Sequence, residues 1–238
     1  MKRSFTYLIL AAVAIWAAVL SLPDNKLRVV FCDVGQGDAT IIIKGTVQIL
    51  IDGGPDDRVL GCLAEHIPFW DRKIEMAILT HDNSDHSVGL TYVANRYTVN
   101  RFVREDWAVG QQIKAGDLKL TVIGIDKTEN QGEVMTLEYG KFKVLFTADV
   151  IADLKMAVPA NVLKVSHHGS KFGTTSEWLD IVQPQVAMIS VGKNNYGHPA
   201  PEVLKLLQDA NAKILRTDMD GEVEVTSDGE TYSINSKI

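Results

Sequence analysis

The sequence predicts an α/β protein in which two β-sheets pack together with helices outside. Three observations predict it. Short apolar runs rich in β-branched residues crowd the first quarter and the middle of the chain, separated by glycine turns. Stretches with apolar residues at helical spacing stand between them. Toward the C-terminus strand and helix alternate.

In chain order, residues 27–32, 40–43 and 47–51 read as strands, 57–66 as a helix, 76–79 as a short buried strand and 85–95 as a helix. A β-rich half follows, with strands over 99–103, 118–123, 134–139, 143–146 and 162–165. Residues 176–182 read as a helix and 186–191 as a strand. A helix over 201–209 opens on Pro201, where a missing N–H does no harm. Strands over 213–216, 222–225 and 231–234 close the chain.

The N-terminus is a separate unit. Lys2 and Arg3 precede the uncharged stretch 4–23, which is 20 residues long. As a helix it would measure about 30 Å, the thickness of a bilayer core. Residues 1–23 therefore read as a signal anchor or a cleaved signal peptide, and 24–238 as one domain. The positive flank favours an N-terminus inside, so either reading puts the domain outside the cytoplasm.

Composition bounds the function. The chain has 238 residues, 46% of them hydrophobic and 23% charged, enough for one sizeable core. Its 24 Lys and Arg against 30 Asp and Glu give a net charge of −6. That excludes holding nucleic acid by phosphate neutralisation alone; metal ions or a local basic patch would be needed. Cys32 sits in an apolar run and reads as a small core residue, and Cys62 lies in the 57–66 helix. Two cysteines are too few to reveal the redox compartment, and their pairing stays open.

The chemistry concentrates in histidines. Of the six, His81, His86, His167, His168 and His198 fall in loop-like segments just after strands, where side chains project from a rigid scaffold into a shared cleft. His66 fits no such pattern and reads as structural or exposed. The strongest piece is His81-x-Asn83-x-Asp85-His86. A tight loop can send positions 81 and 83 to one metal, while Asp85 and His86, at a helix start, reach a second. Imidazole and carboxylate suit zinc, manganese or iron. The competing reading is a polar helix cap from Asn83 or Ser84.

This segment resembles the H-x-H-x-D-H signature of the metallo-β-lactamase superfamily. Further motifs resemble the C-terminal hydrolase domain of ComEC-type DNA-internalisation (competence) proteins: Asp33-Val34-Gly35-Gln36-Gly37-Asp38, Ile51-Asp52-Gly53-Gly54, Phe146-Thr147-Ala148-Asp149, Ser166-His167-His168-Gly169-Ser170 and Tyr196-Gly197-His198-Pro199. They arrive in the family's order and cover about residues 27–226. The resemblance implies an αββα sandwich with a site along one edge, holding one or two divalent ions (Zn or Mn).

It implies His81, Asp85, His86 and His167 as ligands, with Asn83 at a usual ligand position. Asp149 would bridge the metals. His168 would be a ligand or face phosphate, and His198 would bind metal or contact substrate. Asp85, Asp149 and His198 would carry catalysis. Asp52 would orient histidines. Asp33, Gln36 and Asp38 would line the cleft, and Lys164 and Lys171 are candidates to meet a phosphate. Turn chemistry around Gly35, Gly37, Gly53 and Gly54 is the plainer reading of Asp33, Asp38 and Asp52.

The chain departs from the pattern at Asn83, a neutral and weaker ligand, at Ala148 and Val88 in place of glycines, and at Glu133 in place of serine. Three functions follow. The first is a metal-dependent phosphodiesterase acting on single-stranded DNA outside the membrane, alongside DNA-uptake channel proteins. The second is a hydrolase of a small ester, lactone or phosphodiester. The third is a non-catalytic metal-binding component of an envelope or uptake complex.

Overall fold

The computed structural model describes residues 6–13, 16, 24–104, 108–115, 118–126, 132–151 and 153–237. The first sheet collects strands β1 (Leu27–Phe31), β2 (Thr40–Lys44) and β3 (Val47–Ile51). Helix α1 (Val59–His66) and the short β4 (Lys73–Ile74) lead to β5 (Met76–Leu79). Helix α2 (Ser84–Arg96) then leads through β6 (Thr98–Val99) to β7 (Phe102–Arg104). The second sheet takes β8 (Gln112–Ala115), β9 (Leu118–Asp126), β10 (Gly132–Tyr139), β11 (Phe142–Phe146) and β12 (Val162–Lys164). Helix α3 (Ser176–Val182), β13 (Val186–Ile189), helix α4 (Pro201–Asp209) and β14 (Lys213–Arg216) complete it. After a short helix α5 (Thr217–Asp220), β15 (Val223–Ser227) and β16 (Tyr232–Ser236) return to the first sheet.

Each large sheet has seven strands, in the orders β16-β15-β1-β2-β3-β5-β7 and β14-β13-β12-β11-β10-β9-β8, while β4 and β6 pair separately. Both are mixed: the first has four antiparallel pairs and two parallel ones, the second three of each. Pairs β3/β5 and β5/β7 are parallel in the first sheet, and β11/β12, β12/β13 and β13/β14 in the second. Parallel neighbours need crossovers, and α2, α3 and α4 supply three of them.

Three apolar layers hold the sheets and helices in place. Val29, Phe31, Ile49, Ile51 and Ile78 of the first sheet meet Leu120, Met135, Val144 and Met188 of the second. The alternate residues Val30, Ile41, Leu50 and Ala77 face outward onto Val59, Leu63, Leu90 and Val93 of α1 and α2. Likewise Leu145, Leu163 and Ala187 face Leu179, Val182, Val203 and Leu207 of α3 and α4. The order is helix, sheet, sheet, helix. The period of two along a strand puts successive residues into different layers, which is why the central strands are apolar on both faces.

Several boundaries differ from expectation. Residues 99–103 form not one strand but β6 and β7, separated by a break at Asn100 and Arg101. Strands β4 and β8 were not expected; each is short and half polar in composition. Cys32 and Cys62 are joined by a disulfide with Cα atoms 5.8 Å apart, tying the end of β1 to α1. The expected N-terminal hydrophobic helix lies largely outside the described residues. Its described part, 6–13 and 16, is exposed helix. No helix among the described residues is long and apolar enough to cross a membrane.

Candidate metal centre

The site assembles beyond the C-terminal ends of parallel strands, where α/β sheets place ligands. Asp52 follows β3, Thr80 and His81 follow β5, Asp149 follows β11, and His167 and His168 follow β12. Asp85 and His86 stand in the first turn of α2.

Three of these residues, Asp52 (φ 59°), His167 (φ 49°) and His168 (φ 52°), and Ala148 (φ 42°) just before Asp149 hold left-handed backbone without being glycine. Such conformations cost roughly 1–2 kcal/mol each and persist where the surroundings over-determine them. Close backbone packing does that here. A Cβ on Gly89 of α2 would meet the Gly53 carbonyl oxygen at 1.8 Å, so only glycine lets α2 lie against the 52–54 turn. There the Gly53 N–H donates to the His86 carbonyl at 2.7 Å. The Cβ of Ala148 is accommodated because its neighbour in space, Gly132, has none.

A hydrogen-bond chain orients the histidines. The Asp52 carboxylate accepts from the Thr80 N–H and the Thr80 hydroxyl, each at 2.8 Å, and from His86 Nδ1 at 2.9 Å. The Thr80 hydroxyl proton is committed to Asp52, so its oxygen accepts from His81 Nδ1 at 3.1 Å. Both imidazoles therefore turn Nε2 inward. There His86 Nε2 stands 3.4 Å and His81 Nε2 3.6 Å from the Asp149 carboxylate. His168 donates through Nδ1 to the Ser190 carbonyl at 2.8 Å and points Nε2 at Asp85 Oδ2, 3.1 Å away. His167 Nε2 lies 3.8 Å from Asp149.

Asp85, His86, Asp149 and His168 each offer one ligand atom within 4.8 Å of the others. Among the described residues His81 Nε2, His86 Nε2 and Asp149 Oδ1 are buried without any hydrogen-bond partner. Buried polar atoms are almost always satisfied, and two such imidazole nitrogens aimed at one carboxylate fit a bound cation.

The electrostatics agree. Burial opposes charge on His86, yet Asp149 and Asp52 outweigh it and hold its pKa well above the usual imidazole value. Burial likewise opposes charge on His168, and Asp38 and Asp85 raise it to about 9. Burial would raise Asp149, but His86 and His81 hold it well below the usual carboxylate range. Burial lowers His167 and His198.

The cluster opens to solvent on one side. His81, His86, Asp149 and His168 are buried, whereas Asp85, His167 and His198 are partly exposed. The His198 ring packs against His167, centroids 5.4 Å apart, and Tyr196 packs against His198.

Other expected residues take different places. Lys164 is buried and ion-paired to Asp38, not turned toward a substrate. Asp38 is buried too, beneath the cluster and 3.4 Å from His168 Nδ1, so it braces the site rather than lining an open cleft. The desolvation cost explains both: each charge is tolerable inside only beside the other. Asp33 is exposed and caps the turn, accepting from the Gly35 N–H at 3.1 Å. Gln36 accepts from the Gly192 N–H at 3.2 Å, linking the loop after β1 to the segment after β13.

Asn83 is exposed at the N-cap position of α2; its carbonyl accepts from the His86 N–H at 3.0 Å, but its side chain makes no capping bond. Lys171 lies over the exposed Phe172 ring. His66 pairs with Glu222 and Glu224, away from the cluster. Thr80 and the Ser190 carbonyl were not singled out in the sequence. A threonine directly before His81 was a faint signal for the first; a backbone carbonyl leaves none.

Comparison with known proteins places these features. No family model matches the chain. It is 30% identical over 247 residues to ComE operon protein 3 of Bacillus subtilis, covering 81% of this chain and 32% of that protein. It is 28% identical over 252 residues to Recombination protein 2 of Haemophilus influenzae, covering 94% of this chain and 32% of that protein. The chain thus spans about a third of the length of these curated relatives.

Among solved structures, the metallo-β-lactamase-fold protein YhfI of Bacillus subtilis superposes with a TM-score of 0.62 at 13% identity, over 83% of this chain and 99% of that one. A diphosphatase of the PhnP family gives 0.57 at 13% identity, over 84% and 98%. The chain therefore has the metallo-β-lactamase fold, and its sequence resembles competence proteins over about a third of their length.

Proposed function

We propose that the chain is a metal-dependent phosphodiesterase that acts on single-stranded DNA outside the membrane in connection with DNA uptake. The observation that carries the reading is the convergence of His81 Nε2 and His86 Nε2 on the Asp149 carboxylate beside Asp85 and His168, with both nitrogens buried and unpartnered among the described residues. Similarity to competence proteins supports DNA as the substrate. The Cys32–Cys62 disulfide supports an oxidising compartment.

In this reading His81, Asp85, His86, Asp149 and His167 hold one or two divalent ions, with His168 and His198 at the margin. Zinc or manganese suits this set of nitrogen and carboxylate donors. Such an ion polarises a phosphoryl oxygen and lowers the pKa of water. The chain does the rest. Thr80, Asp52 and the Ser190 carbonyl fix the imidazole tautomers before substrate arrives, so no reorganisation is needed during reaction. Asp149, facing four imidazoles, stays ionised. Partly exposed His167 and His198 form the side from which a phosphodiester enters, and His198 is placed to exchange a proton with it. Asn83 stands outside the cluster, which favours fuller occupancy of the Asp85–His86–Asp149–His168 group than of a site built on positions 81 and 83.

The test is cleavage of a single-stranded oligonucleotide by the full chain with manganese. Cleavage that disappears in His81→Ala and Asp149→Ala is expected. Cleavage no greater than in those variants overturns the proposal.

One observation favours a small ester or lactone as substrate instead: Lys164, one of two candidates to meet a phosphate, is buried against Asp38. Faster turnover of chromogenic esters than of DNA would establish that reading.

A further inference from the structure

At the other end of β3 from the metal centre lies a cleft of about 770 Å³. Gln48 lines it, four residues before Asp52, so about 13 Å of strand separates cleft from site. Ile43 and Ile67 contribute buried apolar surface to its wall, and Asp24 stands at its rim. Phe69 and Trp70, in the turn between α1 and β4, also line it. Phe69 is 78% and Trp70 59% exposed, and the two rings pack edge to face with centroids 4.8 Å apart. Two adjacent large aromatics exposed to water at one end of a domain mark an interaction surface.

The chain's own N-terminal segment indicates what covers them. The chain enters the domain at this same rim, through Asp24. Upstream, the described helical residues Tyr7, Leu8, Ile9, Leu10, Val13 and Trp16 all expose their apolar side chains. Only eight residue steps join Trp16 to Asp24, which limits their separation to about 28 Å whatever the path. A short tether therefore joins an apolar helical segment to the rim that carries the exposed Phe-Trp pair. Tryptophan with a polar surround of Asp24, Arg28 and Asp71 matches the chemistry of a membrane–water interface.

We propose that the Phe69–Trp70 face seats in the interfacial layer of a lipid bilayer, beside the entry of the N-terminal segment. This turns the metal centre away from the membrane. It rests on the apolar N-terminal segment and is independent of the hydrolase reading.

The test uses the full chain reconstituted with vesicles of phosphatidylcholine and one quarter phosphatidylglycerol. The lipids are brominated either near the headgroup or deep in the acyl chains, and tryptophan emission is read for the wild type and Trp70→Phe. Shallow bromines are expected to quench the wild type by a larger fraction than Trp70→Phe, and deep bromines to separate the two less. A Phe69→Ser/Trp70→Ser chain is expected to remain vesicle-bound through its N-terminus while residues 64–71 lose amide-exchange protection. Equal shallow quenching of wild type and Trp70→Phe in vesicle-bound protein overturns the proposal and leaves the anchor standing. Failure of the chain to float with vesicles overturns both. Protection of residues 64–71 without lipid, rising with protein concentration, assigns the face to a second copy and overturns the proposal. None of these outcomes touches cleavage of DNA.

Discussion

Thr80 shows how much one hydroxyl can settle. Its proton goes to Asp52 and its oxygen receives the His81 Nδ1 proton, so one side chain fixes what His81 presents to the site. Thr80→Val keeps the shape and removes the relay. Manganese or zinc affinity, read by titration calorimetry, is expected to fall roughly 10- to 100-fold, with Thr80→Ser restoring it. At this scale the sequence was legible where residue type and spacing coincide: His81, Asp85, His86, Asp149 and His168 do converge. It was not legible where burial decides. Lys164 and Asp38 looked like cleft residues because charge usually means solvent; the fold instead buries them as a pair. Asn83 fell at a ligand's sequence position, but the start of α2 leaves it exposed.

Between elements, His66 joins α1 to β15 and the residue before it. Its Nε2 lies 2.5 Å from Glu222 and its Nδ1 3.4 Å from Glu224, so both ring nitrogens donate and the ring is an imidazolium. Burial opposes this, but the two carboxylates raise its pKa to about 9. The folded value lies above the unfolded one, near 6.5. The stabilisation is therefore complete below about pH 6.5 and is lost as pH rises through about 9. His66→Gln is expected to lower the urea midpoint at pH 6, with the difference from wild type shrinking steadily toward pH 9.5. An unchanging difference would contradict the pairing. Helices α3 and α4 and strand β14 match their sequence expectations to the residue, because Pro201 and a clear apolar period mark them. Strands β4 and β8 escaped because their half-polar sequences, Lys-Ile and Gln-Ile-Lys-Ala, form no apolar run. Sequence pattern alone indicated two sheets with helices outside; the pairing order comes from contacts distant in the chain.

Across the whole molecule, one loop links the disulfide to the metal centre. Cys32 leads directly into the 33–38 loop that presses on Asp85, where the Asp38 N–H donates to the Asp85 carbonyl at 3.0 Å. Its bond to Cys62 closes a sequence separation of 30 residues. A loop of that size stabilises by about 3–4 kcal/mol through the unfolded chain. Cys32→Ser/Cys62→Ser is expected to lose about that much in denaturant unfolding. The sequence could not reveal this bond, since 30 residues of spacing say nothing of proximity.

The central claim is that the sandwich edge is a metal site made by the chain's own buried histidines and Asp149. Elemental analysis of the full chain, after dialysis against zinc or manganese, tests it most directly. At least one equivalent of metal per chain in the wild type, and much less in Asp149→Ala, is the expected result. Less than one equivalent in the wild type, unchanged by added zinc or manganese, would contradict the account and favour the non-catalytic reading.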